Sequence, residues 1–143
     1  MTERPTAVTV FGWFWRAGGI LGMIVAWPLA LRGPEWIGDI AKGPFWQLPP
    51  ILLFLYAFLT SLLCFVCGNG LLKGRNWSRV LALVYCFGAI LISSVWYEKT
   101  PLFWVSLFFN LAFTMIMWFY LFRPESKAFF AEAEGLGAPR PVV

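Results

Sequence analysis

The stretch GNGLLKGRNWSR, residues 68–79, decides how this chain folds. Apolar residues crowd in on both sides of it, yet it packs Lys73, Arg75 and Arg79 into a chain that is only 13% charged. Its polar part, KGRN, is so short that the apolar runs on either side must be antiparallel helices joined by a tight turn. Glycines 68, 70 and 74 beside Lys73 suggest a phosphate-binding loop at first sight. The Walker spacing GxxxxGK[ST] is absent, because Gly74 follows Lys73 instead of preceding it, and no nucleotide cradle is expected.

The composition agrees with a membrane setting. A chain of 143 residues that is 60% hydrophobic and 20% aromatic has more apolar surface than one small core can bury, so lipid must cover much of it. A membrane helix needs roughly 20 apolar residues to cross a hydrocarbon core about 30 Å thick. Four spans are expected on that basis, at about 6–31, 49–72, 77–97 and 101–122, forming a single all-α membrane domain over residues 1–134. The first apolar run ends near AWPLA but is too long and too weakly basic at its start for a cleaved leader, and is expected to be a span. Pro5 suits a first helical turn, and Pro28 is expected to kink or end the first helix.

The link RGPEWIGDIAKGPFWQLPP, residues 32–50, is broken by glycine and proline at both ends, and its middle reads as a short surface helix with Trp36, Ile37 and Ile40 toward the lipid. EKTP, residues 98–101, makes a second tight turn, with Pro101 opening the fourth span. After it, RPESKAFFAEAE continues as an amphipathic surface helix to Glu134, and residues 135–143 read as a disordered tail.

Orientation follows from the basic residues. The two termini and the 73–79 turn gather Arg4, Lys73, Arg75, Arg79, Arg123, Lys127 and Arg140, whereas the opposite side holds Arg32, Lys42 and Lys99. That asymmetry predicts cytoplasmic termini. Tryptophans fall toward both interfaces, as aromatic belts do. The net charge of +4 therefore reads as anchoring, with membrane lipids as partners and no nucleic acid. Lys73, Arg75 and Arg79 are placed to meet anionic headgroups.

Three segments together carry a resemblance: RPTAVTVFGW at 4–13, GNGLLKGRNWSRVLAL at 68–83 and YLFRPESKAFF at 120–130. They resemble a group of uncharacterised small four-helix bacterial membrane proteins. Its members tend to show an RP-x-x-V-T-V start, a G-x-GLL-x-G-[RK]-NWAR hairpin and an RPE-x-KA-x-F end. The match covers about a third of the chain, and Ser78 departs from it where alanine is usual. The resemblance implies the four-helix architecture and a bacterial inner membrane, and no activity.

The chain is poor in groups that do chemistry. It has no histidine, and its acidic residues lie in loops and termini, so no acid–base pair stands in the membrane and no nucleophile has a visible base. No enzyme activity, metal or cofactor is expected. Cys64 and Cys67 form a CxxC at a depth comparable to Cys86, but a fourth ligand is missing and buried cysteine commonly serves as a small apolar filler.

Other residues invite packing. Gly18, Gly22 and Ala26 form a small-residue ridge continued by Ala30, and Ser106, Asn110 and Thr114 share one face of the fourth span. Arg16 lies inside the first span, where it can snorkel, pair with a polar side chain or line a path. These features favour an accessory or scaffold subunit that packs against other membrane proteins or copies of itself. The alternative is a small homo-oligomeric channel or transporter with a path near Arg16 and Asn110.

Asn76-Trp77-Ser78 has the pattern of a glycosylation sequon and serves as a topology marker. In a eukaryotic membrane system, gel mobility is expected to show no glycan at Asn76, while a sequon engineered into the 32–48 link is modified. The opposite pattern would invert the orientation.

Overall fold

The computed structural model describes residues 4–32, 47–96, 99 and 101–135. These form five helices and no strand: α1 (Thr6–Arg32), α2 (Pro50–Leu72), α3 (Asn76–Trp96), α4 (Pro101–Leu121) and α5 (Pro124–Ala133). The first four are long and apolar enough to cross a membrane. The protein is therefore all-α and of multi-pass type, with the expected span edges met to within one residue. The surface helix expected at 32–48 and the tail beyond Gly135 lie outside the described residues.

Proline marks where helices begin. Pro50, Pro101 and Pro124 each open a helix, in the first turn, where a missing N–H costs nothing. Pro28 does not end α1. α1 runs through it to Arg32, since a proline this close to the end removes only the bond to the carbonyl of Ile24. Pro5 stands just outside α1 and its carbonyl accepts the Thr9 amide at 3.2 Å.

The turn in GNGLLKGRNWSR is a Schellman motif. Gly74 takes φ +70°, its N–H donates to the Leu71 carbonyl at 3.1 Å, and the Arg75 N–H donates to the Gly70 carbonyl at 2.9 Å. Only a glycine adopts that φ cheaply, and here it also needs to be bare: a methyl group on Gly74 would stand 2.6 Å from the Ala133 Cβ of α5. The turn is thus shaped by its own backbone and roofed by the C-terminal helix.

α1 and α2 form the tightest pair. A methyl group on Gly19 would stand 2.5 Å from the Phe65 nitrogen, and one on Gly68 would stand 2.5 Å from the Arg16 nitrogen, so the two backbones touch there. On Gly12 it would meet the Leu72 side chain at 2.7 Å, and Ala26 further along is fully buried. The seam in α1 therefore steps by seven residues, Gly12, Gly19 and Ala26, matched in α2 by Ser61 and Gly68. Seven-residue steps keep two helices in contact along their length. The four-residue ridge read from the sequence is only partly in this seam. Gly22 faces the Ser61 hydroxyl, but Gly18 has nothing within 4 Å of where a Cβ would be.

The α3–α4 hairpin joins this pair at the end that carries α5. Val8, Trp15, Leu71, Ala82, Leu121 and Phe130 belong to one buried cluster drawn from all five helices. α2 and α3 approach through Gly70, where a methyl group would stand 2.6 Å from the Ser78 Cβ. Ser78 is fully buried and donates its hydroxyl to the Arg75 carbonyl at 2.5 Å.

Gly19→Ala and Gly68→Ala are each expected to destabilise the protein by about 1–3 kcal/mol, because a backbone cannot yield as a side chain can. Gly88→Ala, with nothing within 4 Å of its Cβ position, is expected to be neutral or stabilising. Thermal unfolding in mild detergent compares the three.

Candidate functional site

Asn110, Thr114, Met117 and Leu121 fall at i, i+4, i+7 and i+11 and so share one stripe of α4. Thr114 is 2% exposed, and Met117 and Leu121 are fully buried, so this stripe faces the core. Asn110 stands in the same stripe with Ser106 one turn before it, yet both are exposed. The polar stripe of α4 is therefore buried at Thr114 and exposed at Asn110 and Ser106.

α1 shows the same change on the facing side. The Phe113 ring of α4 lies 5.9 Å from Phe11 and 5.0 Å from Phe14. One turn further along α1 stands Gly18, which meets nothing, and then Leu21, which is 63% exposed. Because α1 and α4 run antiparallel, one turn after Phe14 and one turn before Phe113 bring Gly18 and Asn110 to the same depth. Beyond the Phe113 contact, Gly18, Asn110 and Ser106 leave a wedge between α1 and α4 that no described residue fills. Gly18 forms one wall and Asn110 with Ser106 the other.

The carboxamide of Asn110 is only partly satisfied. Its N–H donates to the Ser106 carbonyl at 2.9 Å and reaches the Ser106 hydroxyl oxygen at 3.4 Å, while no hydrogen bond from a described residue reaches its own side-chain oxygen. Thr114 is instead drawn into the core, where its hydroxyl donates to the Asn110 main-chain carbonyl at 2.7 Å. The polar face expected from the spacing is real, but the packing splits it between core and wedge.

Arg16 points elsewhere. Its guanidinium lies 4.9 Å from the ring of Trp13 and 5.9 Å from that of Phe65, on the α2 flank of α1. Trp13 is one turn nearer the α5 end and Phe65 stands at the level of Gly19, so the guanidinium rests against aromatic faces on both sides of its own level. No hydrogen bond joins it to Asn110.

The three basic residues of the turn are divided. Lys73 and Arg75 are exposed, whereas the Arg79 guanidinium is held between Phe122 at 5.0 Å and Phe130 at 5.2 Å. Its Nε and Nη1 are buried and have no hydrogen-bond partner, so it tethers α3 to α4 and α5 by cation–π contact. Glu134 lies at the same place, its carboxylate accepting the Asn76 N–H at 2.7 Å, where negative charge suits the N-terminus of α3. Ser126 adds a bond to the Tyr120 carbonyl at 2.9 Å. Residue spacing alone did not reveal this dock, because its parts come from three separate helices.

Cys67 is buried in the core, with Cys64 and Cys86 packed against it as free thiols. The Cys64 thiol shares a hydrogen bond with Tyr85, whose ring meets Trp15 edge-on at 5.2 Å. Among the described residues no group of three His, Cys, Asp or Glu is placed to hold a metal ion. No family model, curated protein or solved structure matches the chain.

Phe130→Ala removes the side chain that anchors α5, a loss of about 3–5 kcal/mol for a buried aromatic. Trypsin is expected to cut at Lys127 many times faster in this variant while the four long helices stay intact. An unchanged rate would mean that α5 is held by something other than Phe130.

Proposed function

We propose that this protein works as a non-enzymatic accessory or scaffold subunit in a bacterial inner membrane, with both termini in the cytoplasm, by packing against other membrane proteins or copies of itself. The observation that carries this reading is the exposed Asn110 at mid-span of α4, whose side-chain oxygen no described residue meets, in a span whose only other non-aromatic polar side chains are Ser106 and Thr114. A polar side chain at that depth gains about 1 kcal/mol from a hydrogen bond to a neighbouring helix. The clustering of basic residues at the α5 end supports the orientation. Exposed Lys73 and Arg75 suit anionic headgroups, each worth roughly 1 kcal/mol near a charged surface.

The placement of Arg16 on the α2 flank, away from Asn110, takes support from a conducting path through both. Packing is also what the α1–α2 seam is built for, since bare glycine backbones serve close approach and no chemistry.

Native mass spectrometry of membrane extract in mild detergent is expected to find the chain in stoichiometric complexes, with foreign subunits or with itself. A lone monomer with lipid only would refute the accessory reading.

A further inference from the structure

The geometry points to a seat for one anionic phospholipid headgroup on the outer flank of the α1–α2 pair, where Arg16, Asn69 and Lys73 meet its phosphate. The inference rests on the headgroup reading of Lys73 and adds a cation from inside the first span. The close approaches of the two antiparallel helices fix their register: Gly12 meets Leu72, Arg16 meets Gly68 and Gly19 meets Phe65. Arg16 therefore stands level with a residue four short of the end of α2, about 6 Å inside the span. Its guanidinium lies 5.9 Å from the Phe65 ring, which places it on the Phe65 side of α2. Asn69 and Lys73 follow Phe65 at i+4 and i+8 and continue that stripe toward the α5 end. Leu62 and Val66 beside the stripe are exposed, while Cys67 and Leu71 on the far side of α2 are buried, so the stripe faces the bilayer.

Charge selects an anion. A guanidinium inside a span is costly without a counter-charge, and Trp13 and Phe65 offer it ring faces and no negative charge. The seven acidic residues of the chain all lie outside the four spans, so no span of this chain or of a second copy brings a carboxylate to that level. Two protein cations on one phosphate favour a lipid of net negative charge, because a zwitterionic headgroup brings its own cation to the same place.

The polar stripe selects a lipid over a partner helix. Lipid phosphates lie just outside the hydrocarbon core, and the stripe leads toward them: Lys73 is five residues past Gly68, about 7.5 Å further along. Arg16 from inside and Lys73 from the edge are long enough to close that gap on one phosphate. The Asn69 side chain makes no hydrogen bond to a described residue and supplies an N–H donor between them. Trp13, exposed and one turn nearer the α5 end than Arg16, lies where an aromatic ring meets the glycerol level of a lipid. A partner helix with a carboxylate level with Arg16 answers that one cation and leaves Asn69 and Lys73 unmet.

The test titrates the full chain, freed of native lipid in mild detergent, with phosphatidylglycerol or phosphatidylcholine, and native mass spectrometry counts the bound molecules. The first phosphatidylglycerol is expected to bind about tenfold more tightly than phosphatidylcholine, Arg16→Leu to lose about fivefold of that, and Arg16→Lys to keep most of it. In double-mutant cycles Arg16→Leu is expected to couple with Lys73→Ala, because one phosphate serves both, and to add to Arg75→Ala. Thermal unfolding shows whether the variants are folded, and Asn69→Leu, expected to weaken phosphatidylglycerol binding with both charges in place, serves as the test should Arg16→Leu not fold. Binding of phosphatidylglycerol that is unchanged by Arg16→Leu, or by Asn69→Leu where that variant stands in, overturns the inference. If Lys73→Ala still weakens binding there, the headgroup reading of the turn survives without Arg16, whereas equal binding of the two lipids by the original chain refutes both. Displacement of phosphatidylglycerol by a leucine span peptide carrying one glutamate, and not by an all-leucine peptide, assigns Arg16 to a partner helix and likewise overturns the inference.

Discussion

The contact of bare backbones at Gly19 and Gly68 is what the rest of the architecture depends on. In hydrocarbon an apolar side chain gains little by leaving lipid for protein, so helices are held by dense packing and by hydrogen bonds. Glycine permits the closest packing available to a helix, and the seven-residue steps of Gly12, Gly19 and Ala26 repeat it along α1. α1 and α2 therefore act as one unit, against which the other helices are placed.

The second hairpin is fixed to that unit at the end that carries α5. There, the means are varied: Gly70 against Ser78, the roofed turn at Gly74, the buried Phe130, the Arg79 guanidinium between two phenyl rings and Glu134 at the start of α3. α5 contributes to three of these five, and Glu134 at its C-terminal cap to a fourth. It lies beyond the last span, yet it decides how the spans meet, because its side chains fill the gap between the turn and the end of α4. Among the described residues no comparable device joins α1 to α4 further along, and Gly18, Asn110 and Ser106 are left exposed there.

That asymmetry gives the polar residues different meanings. Thr114 and Asn110 are one helical turn apart on the same face, but one is a satisfied core residue and the other faces a gap. Arg79, by charge alone a headgroup ligand like Lys73 and Arg75, becomes a structural tether because two aromatic rings close around it. Arg16 lies against the rings of Trp13 and Phe65 on the α2 flank of its helix.

Apolar length, proline at helix starts and the brevity of KGRN were enough to locate the spans, since each is a local property of the chain and the bilayer leaves the backbone no alternative to the helix. The small and polar stripes were legible as stripes for the same reason: spacing along a helix fixes which residues share a face. What faces that stripe is not local. The seam lies at Gly12 and Gly19 and leaves out Gly18, α5 closes one end, and Asn110 is bare where Thr114 is buried, because these depend on how five helices share a limited set of close approaches. The sequence alone determined a four-span helical membrane protein; only tertiary packing decided that α5 seals one end and that Thr114 is buried while Asn110 is exposed.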